Sequence, residues 1–152
     1  MKDTKWVIFD LDGTLALIDD RRALSTKDNG KIDWDIFFDP SNIKMDKPNL
    51  PVIKMAQTLA EAGHCIAIFS GRSKSTLLST KSWLEKNNVP WHTLDMRPIR
   101  SFTPDDKLKN DWLNTKFPDK DDVLCVFDDR DKVVDMWRRN GISCFQVAPG
   151  SF

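Results

Sequence analysis

Five apolar runs of strand length, separated by segments of helical period, constrain this chain more than any other feature. KWVIFD (5–10), HCIAIFS (64–70) and DVLCVFDD (122–129) are nearly continuous in apolar residues, PWHTLDM (90–96) is less so, and SCFQVA (143–148) closes the series. Strands that are apolar throughout are buried on both faces, which is the condition of a parallel sheet covered by helices on either side. The intervening segments read as those helices. LPVIKMAQTLAEAG (50–63) puts Val52, Met55, Leu59 and Ala62 on one face, with Gly63 as its C-terminal stop. SKSTLLSTKSWLEKNN (73–88) is a second helix. TPDDKLKNDWLNTKF (103–117) is a third, with Thr103 as N-cap, Pro104 at the first position and acids in the first turn. DKVVDMWRRNG (131–141) is a fourth, ending at Gly141. The expected fold class is α/β. The 152 residues suit one domain with a real hydrophobic core.

One region breaks the rhythm. Ala16 to Asn49 is a long polar connection after the first strand, and connections of this length are usually functional or carry structure of their own. Within KIDWDIFFDP (31–40), Trp34, Phe37 and Phe38 can form a helical turn packed over the sheet's edge. The segment is read as a small cap insertion (about 16–49) within a single domain spanning 1–152.

Lys plus Arg and Asp plus Glu both number 23, so the net charge is zero. That argues against a general polyanion-binding field and leaves local basic clusters open. Cys65, Cys125 and Cys144 each sit in an apolar run without metal-ligand spacing, as buried free thiols of a reducing compartment do. No signal-like N-terminus and no apolar stretch of membrane-spanning length is present, which predicts a cytoplasmic protein with no membrane contact.

The ends of the strands carry the chemistry. In an open α/β sheet, ligands bind at the carboxyl ends of the strands. Here those ends carry Asp10 and Asp12, then Ser70-Gly71-Arg72, then Asp128-Asp129. Side chains two apart on a strand share a face, so Asp10 and Asp12 start on the same side. A single Asp at a strand end is an ordinary turn-former. Four carboxylates converging are unfavourable without a divalent cation, and hard oxygen ligands favour Mg²⁺. Ser70-Gly71-Arg72 stands just before a helix, where free N–H groups attract anions. Gly71 permits close approach, and Ser70 and Arg72 add donors; the plainer reading is a helix cap. Lys109 lies in the third helix, where a lone lysine is ordinarily solvated.

DLDGTL, Ser70, Lys109 and Asp128-Asp129 occur in the order and context of the four motifs of haloacid dehalogenase-like phosphatases, which the chain resembles. The resemblance implies a Rossmann-like parallel sheet, a Mg²⁺ ion and an aspartyl-phosphate intermediate. It makes Asp10 the nucleophile and Asp12 the general acid and base, with Ser70 and Lys109 completing the catalytic set. The metal is then held by Asp10, the Asp12 backbone carbonyl and Asp128, with Asp129 either direct or through water. The segments LAEAGHCIAIFSGR (59–72) and FDDRDKVVDMWRRNGISCFQVAPGSF (127–152) are similar to the 3′-phosphatase domain of phage polynucleotide kinase/phosphatase. This closer likeness implies phosphate or substrate contacts at Arg21, Arg72 and Arg97, beside Gly71. Each of these arginines has a plainer reading as a solvated charge, and the neighbouring Arg22 and Arg100 are left unassigned. DWDIFFDPSNIKMDKPN (33–49) departs from that pattern, and no Walker A motif occurs, so any 5′-kinase activity is expected from another chain or is absent.

The function so implied is Mg²⁺-dependent hydrolysis of 3′-phosphate ends of polynucleotides or nucleotides. The alternatives are a phosphatase of free nucleoside monophosphates and a non-catalytic module that binds phosphorylated ends. The implied partners are a phosphorylated nucleic-acid end or nucleotide as substrate, and a separate kinase or ligase chain.

Overall fold

Alternate side chains of the first strand enter two different cores, and the rest of the chain is arranged around that division. The computed structural model describes residues 3–152. Strand β1 (Trp6–Phe9) is followed by β2 (Ala16–Leu17), helices α1 (Asp19–Ser25), α2 (Trp34–Phe37) and α3 (Pro40–Ile43), and β3 (Lys47–Pro48). Then come α4 (Leu50–Glu61), β4 (Cys65–Ser73), α5 (Leu77–Lys86), β5 (Thr93–Arg97) and α6 (Asp105–Lys116). The chain closes with β6 (Val123–Asp128), α7 (Asp131–Arg139) and β7 (Cys144–Gln146).

The main sheet has five strands in the order β5-β4-β1-β6-β7, all parallel, so the fold is α/β and Rossmann-like. Val7 and Phe9 pack with Ile66 and Ile68 against Val52, Ile53 and Ala56 of α4 and Trp83 and Leu84 of α5. Ile8 packs with Ala67, Phe69 and Val126 against Leu113 of α6 and Val133, Val134 and Trp137 of α7. Period-two burial on both faces is why these strands read as continuous apolar runs. From β1 the chain builds outward through β4 and β5, then returns to lay β6 on the other side of β1. The carboxyl end of β1 is therefore the switch point at which such sheets open a crevice.

Several local expectations shift. On α4 the buried face is Val52, Ile53 and Ala56, while Met55 is exposed, so the apolar stripe is rotated from the expected one. Helix α6 starts at Asp105 with Pro104 in the cap position and no side-chain cap bond, one residue later than expected from Thr103. Asp105 and Asp106 do occupy its first turn, where negative charge suits the helix dipole. Strand β4 runs on through Gly71 and Arg72 to Ser73, and its ladder with β5 skips from Ser70–Met96 to Ser73–Arg97. This irregularity carries Arg72 into the interior, where it is 1% exposed.

The segment between β1 and α4 is stemmed by an antiparallel pairing of β2 with β3. Helices α2 and α3 are each a single turn, capped by the side chains of Asp33 and Asp39. Trp34 and Phe37 lie in α2 with Phe38 as its C-cap, so the expected helical turn forms, with Phe37 buried. Cys125 and Cys144 are buried and Cys65 half-buried, all free. Burial pushes the Cys125 thiol up to about 11 and the Cys144 thiol to about 12, so neither is a thiolate at neutral pH. Among the described residues no helix is long and apolar enough to cross a membrane.

Candidate active site

The sheet still holds Asp10 after the β1 ladder ends, because its N–H donates to the Phe127 carbonyl at 2.9 Å. The chain then turns tightly: the N–H groups of Thr14, Leu15 and Ala16 all point to the Leu11 carbonyl. Gly13 makes the turn possible with φ of +84°, and a Cβ there would overlap the Asp129 carboxylate. This turn overrides the strand alternation that placed Asp10 and Asp12 together. The structure brings three carboxylates together, not four. Ligand oxygens of Asp10, Asp128 and Asp129 lie within 4.8 Å of one another, whereas the Asp12 carboxylate faces a pair of arginines.

The buried face of α6 delivers Lys109 to this cluster. Its Nζ is 2.7 Å from Asp10 Oδ1 and 3.3 Å from Asp128 Oδ2, and the residue is 1% exposed. The indole Nε1 of Trp137 donates to Asp128 Oδ2 at 3.1 Å, and Thr14 Oγ1 lies 3.1 Å from Asp10 Oδ2 and 3.4 Å from Asp129 Oδ1. Burial pushes the Asp10 carboxyl well above its ordinary range; Lys109 opposes the shift, and Asp128 and Asp129 add to it. Asp129 is raised as well, chiefly by burial. Burial alone would favour neutral Lys109, but the charges of Asp10 and Asp128 outweigh it and hold the ammonium protonated. One lysine against three buried acids leaves excess negative charge. Hard oxygen donors with such an excess fit a divalent cation of the Mg²⁺ type.

A second network lies beside the first. Arg72 meets Asp12 Oδ1 through Nε at 2.9 Å and Nη2 at 2.6 Å, and Arg21 Nη2 meets the same oxygen at 2.7 Å. Both arginines also reach Asp46, Arg21 at 2.8 Å and Arg72 at 3.2 Å. Burial would raise the Asp12 pKa, but the charges and hydrogen bonds of Arg72 and Arg21 prevail and bring it down to about 2. Thr80 and the Phe37 carbonyl take remaining guanidinium hydrogens. Arg21 and Arg72, expected to face a phosphate, are buried and bonded to carboxylates.

Arg97, also expected at the phosphate, lines the cleft of Asp10 and pins a loop there. It donates to the carbonyls of Gly71 and Thr103 and to Asp105 Oδ1. Gly71 permits close approach, but of the Asp105 carboxylate, which a Cβ would overlap. The Ser70 hydroxyl accepts from the Arg72 N–H at 3.1 Å and is buried.

A cleft of about 820 Å³ opens at the carboxyl ends of the strands, with Asp10, Asp12, Gly71, Arg97, Lys109, Asp128 and Asp129 in its lining. Ser70, Arg21 and Arg72 stand behind that lining. Sequence reasoning did not find Asp46, Thr14 or Trp137. Thr14 belongs to the DLDGTL motif and was legible there; Trp137 resembles any core residue of α7; Asp46 lies in a polar run that nothing distinguishes.

The profile of the family described as the polynucleotide kinase PNKP phosphatase domain matches residues 4–152. A protein of Autographa californica nuclear polyhedrosis virus, assigned as a bifunctional polynucleotide kinase/RNA ligase, is 35% identical over 135 residues, covering 87% of this chain and 17% of that protein. A solved Pnkp1/Rnl/Hen1 complex contains a chain with TM-score 0.80 and 29% identity, of which this chain spans 49% while being covered completely. The chain thus spans less than half the length of both. A haloacid dehalogenase-like hydrolase of Streptococcus pneumoniae shares the fold, with TM-score 0.70 at 11% identity, over 96% of this chain and 85% of that one.

Proposed function

Because the chain belongs to the family of the polynucleotide kinase PNKP phosphatase domain, within the haloacid dehalogenase-like phosphatases, we propose that it hydrolyses 3′-phosphate ends of polynucleotides through an aspartyl-phosphate on Asp10. The observation that carries this reading is the pairing of two carboxylates in opposite environments at one strand end. Asp10 sits among acids beside Lys109, and Asp12 sits two residues on between two arginines.

Asp10 attacks phosphorus in line, the P–O bond to the ester oxygen breaks, and an acyl phosphate forms. Asp12 supplies the proton to the departing oxygen. In the second step Asp12 takes a proton from water, whose oxygen attacks phosphorus and returns Asp10 as a carboxylate. Between its two arginines Asp12 is a carboxylate, its pKa lowered to about 2. The negative charge of an arriving phosphate raises the proton affinity of Asp12, which takes up a proton from solvent before the first step. Lys109 neutralises equatorial oxygen charge and orients Asp10. Asp10, Asp128 and Asp129, with the backbone carbonyl of Asp12, are the groups that would hold Mg²⁺, which when bound supplies further neutralisation of the transferring phosphoryl group. Arg21, Arg72 and Arg97 act as positioning residues, the first two through Asp12 and the third through the loop before α6.

A kinase or ligase chain is the proposed partner, in line with the viral relative and the repair complex. Zero net charge favours a second reading, hydrolysis of free nucleoside monophosphates. Phosphate release from a 3′-phosphorylated oligonucleotide, from 3′- and 5′-mononucleotides and from a sugar phosphate separates the two. The end-hydrolysis reading expects the highest kcat/KM on the oligonucleotide, and a preference for mononucleotides of every kind would replace it with a nucleotidase.

A further inference from the structure

Two aromatic side chains line the cleft of the nucleophile and remain largely uncovered. Trp34 of α2 is 60% exposed and Phe102, in the loop between β5 and α6, is 93% exposed. Both line the same cleft as Asp10 and Asp12. Isolated exposed aromatics are common and need no function. These two share one cavity with the reacting carboxylates; the Trp34 ring is held in place, as is the backbone on either side of Phe102. The Trp34 ring is stacked on one side by Phe38 at 5.8 Å and braced edge-on by Phe37 at 5.5 Å. Phe37 in turn is fixed by Arg21, whose guanidinium lies 4.3 Å over its ring and donates to its carbonyl at 3.1 Å. An unbroken chain of contacts therefore runs from Asp12 through Arg21 and Phe37 to Trp34. In the loop before α6, Arg97 bonds to the carbonyls of Ser101 and Thr103 and so clamps the backbone on both sides of Phe102.

The charge around the mouth adds a second, independent feature. Arg22, Arg100 and Lys132 line the same cleft, and none of them has an ion-pair partner among the described residues. The guanidinium of Arg22 lies 4.4 Å over the ring of Phe152, and Asp106 lines the cleft as well, so among the described residues the rim offers Arg100 and Lys132 free of carboxylates and Arg22 resting on an aromatic face. Aromatic platforms interleaved with cations are how proteins hold single-stranded nucleic acid, because every base offers a π-face and every linkage a phosphate.

We propose that Trp34 and Phe102 form a base-stacking subsite for the terminal nucleobase of a single-stranded polynucleotide whose 3′-phosphate sits at Asp10, with Arg22 and Arg100 meeting the adjoining backbone phosphates. The proposal deepens the end-hydrolysis reading and rests on it. Stacking tolerates any base, so the subsite selects for an unpaired end and not for sequence.

The test uses the protein with Mg²⁺ and two strands that differ only at the terminal nucleotide, one bearing a base and one abasic, both 3′-phosphorylated. Stacking is worth roughly 5- to 150-fold per base, so the wild type should favour the base-bearing strand by about 10-fold or more in kcat/KM, mainly through KM. Trp34→Ala and Phe102→Ala should each bring that ratio toward one, with Trp34→Phe keeping most of it. A folding defect lowers both rates and leaves the ratio intact, so the ratio isolates stacking. Arg22→Ala with Arg100→Ala should weaken both strands equally and flatten the salt dependence of KM. Equal wild-type rates on the two strands, or a ratio unmoved by both aromatic substitutions, would overturn the subsite while leaving end hydrolysis standing. Failure of the wild type on both strands, with activity on another phosphate monoester, would remove the end-hydrolysis reading and the subsite together.

Discussion

At the scale of single residues, Asp10 and Asp12 show how one strand end makes two different acids. Asp10 is buried among carboxylates with Lys109 as its cation, and Asp12 is held by Arg21 and Arg72. Asp10→Asn should lower turnover by more than about 10³-fold, because an amide cannot serve as the nucleophile. The same change removes a carboxyl that burial and two neighbouring acids disfavour in its charged form, so the melting temperature should stay level or rise. Phosphate release and thermal unfolding measured together check both halves, and substantial remaining turnover would remove Asp10 as the nucleophile. Asp12→Asn should cost roughly 10²- to 10⁴-fold, the range of a general acid or base. An aryl phosphate needs little protonation of its leaving group, so formation of the acyl phosphate should suffer less on it than on an alkyl phosphate. Equal losses on both would mean that Asp12 is not the leaving-group acid. Both carboxylates were legible in DLDGTL. Their separation was not, because strand periodicity stops at Phe9 and the Gly13 turn decides where Asp12 points.

At the scale of elements, the loop between β5 and α6 and the segment between β1 and α4 are the parts that shape the cleft. Arg97 ties the loop to Gly71 of β4 and to Asp105 of α6. Arg97→Ala should release residues 98–104, raising amide exchange there and raising KM several-fold with a smaller effect on kcat. An unchanged exchange pattern would contradict the pinning role. The segment after β1 is not a removable lid. Deleting DWDIFF (33–38) takes out buried Phe37, and with it the ring and carbonyl that hold Arg21. Such a deletion would disturb Asp12 as well as the opening of the cleft, so point changes at Trp34 report on substrate access more cleanly. The aromatic content of 31–40 announced a structured turn, while only the fold shows that Phe37 braces an arginine and Trp34 faces the cleft.

At the scale of the whole molecule, acid should act on the same cluster that would hold a metal ion. The carboxyls of Asp10 and Asp129 have raised folded-state pKa values, so their ionisation destabilises the fold as pH rises beyond the ordinary carboxylate range. Asp12 acts in the opposite sense. Its pKa falls from 3.8 to about 2, which contributes about 2 kcal/mol that is present above pH ~4 and lost as pH falls through 2. Metal-free protein should therefore melt highest in mild acid. Mg²⁺ should raise the melting temperature at neutral pH, by about 5–10 °C at 100 times its dissociation constant. That gain should shrink in acid, where protons occupy the cluster. Melting curves across pH with Mg²⁺ and with chelator check this, and a metal gain that is independent of pH would rule out the carboxylate cluster as the binding site.

The sequence by itself determined the α/β layering, because strands buried on both faces must be apolar on both faces, and that pattern is written along each run. It also marked Asp10, Lys109 and Asp128-Asp129, through their resemblance to the motifs of haloacid dehalogenase-like phosphatases, and the fold brings these four into one cluster. The tertiary structure alone decided which charges meet. Asp46 lies 26 residues from Arg72 and 25 from Arg21 and binds both, and a pairing across such a loop leaves no local period to read. The turn at Gly13 and the irregularity in β4 re-aim Asp12 and Arg72 toward each other. Buried ions take the partner that offsets their desolvation, and that partner is set by the packing of distant segments, not by neighbours in the chain.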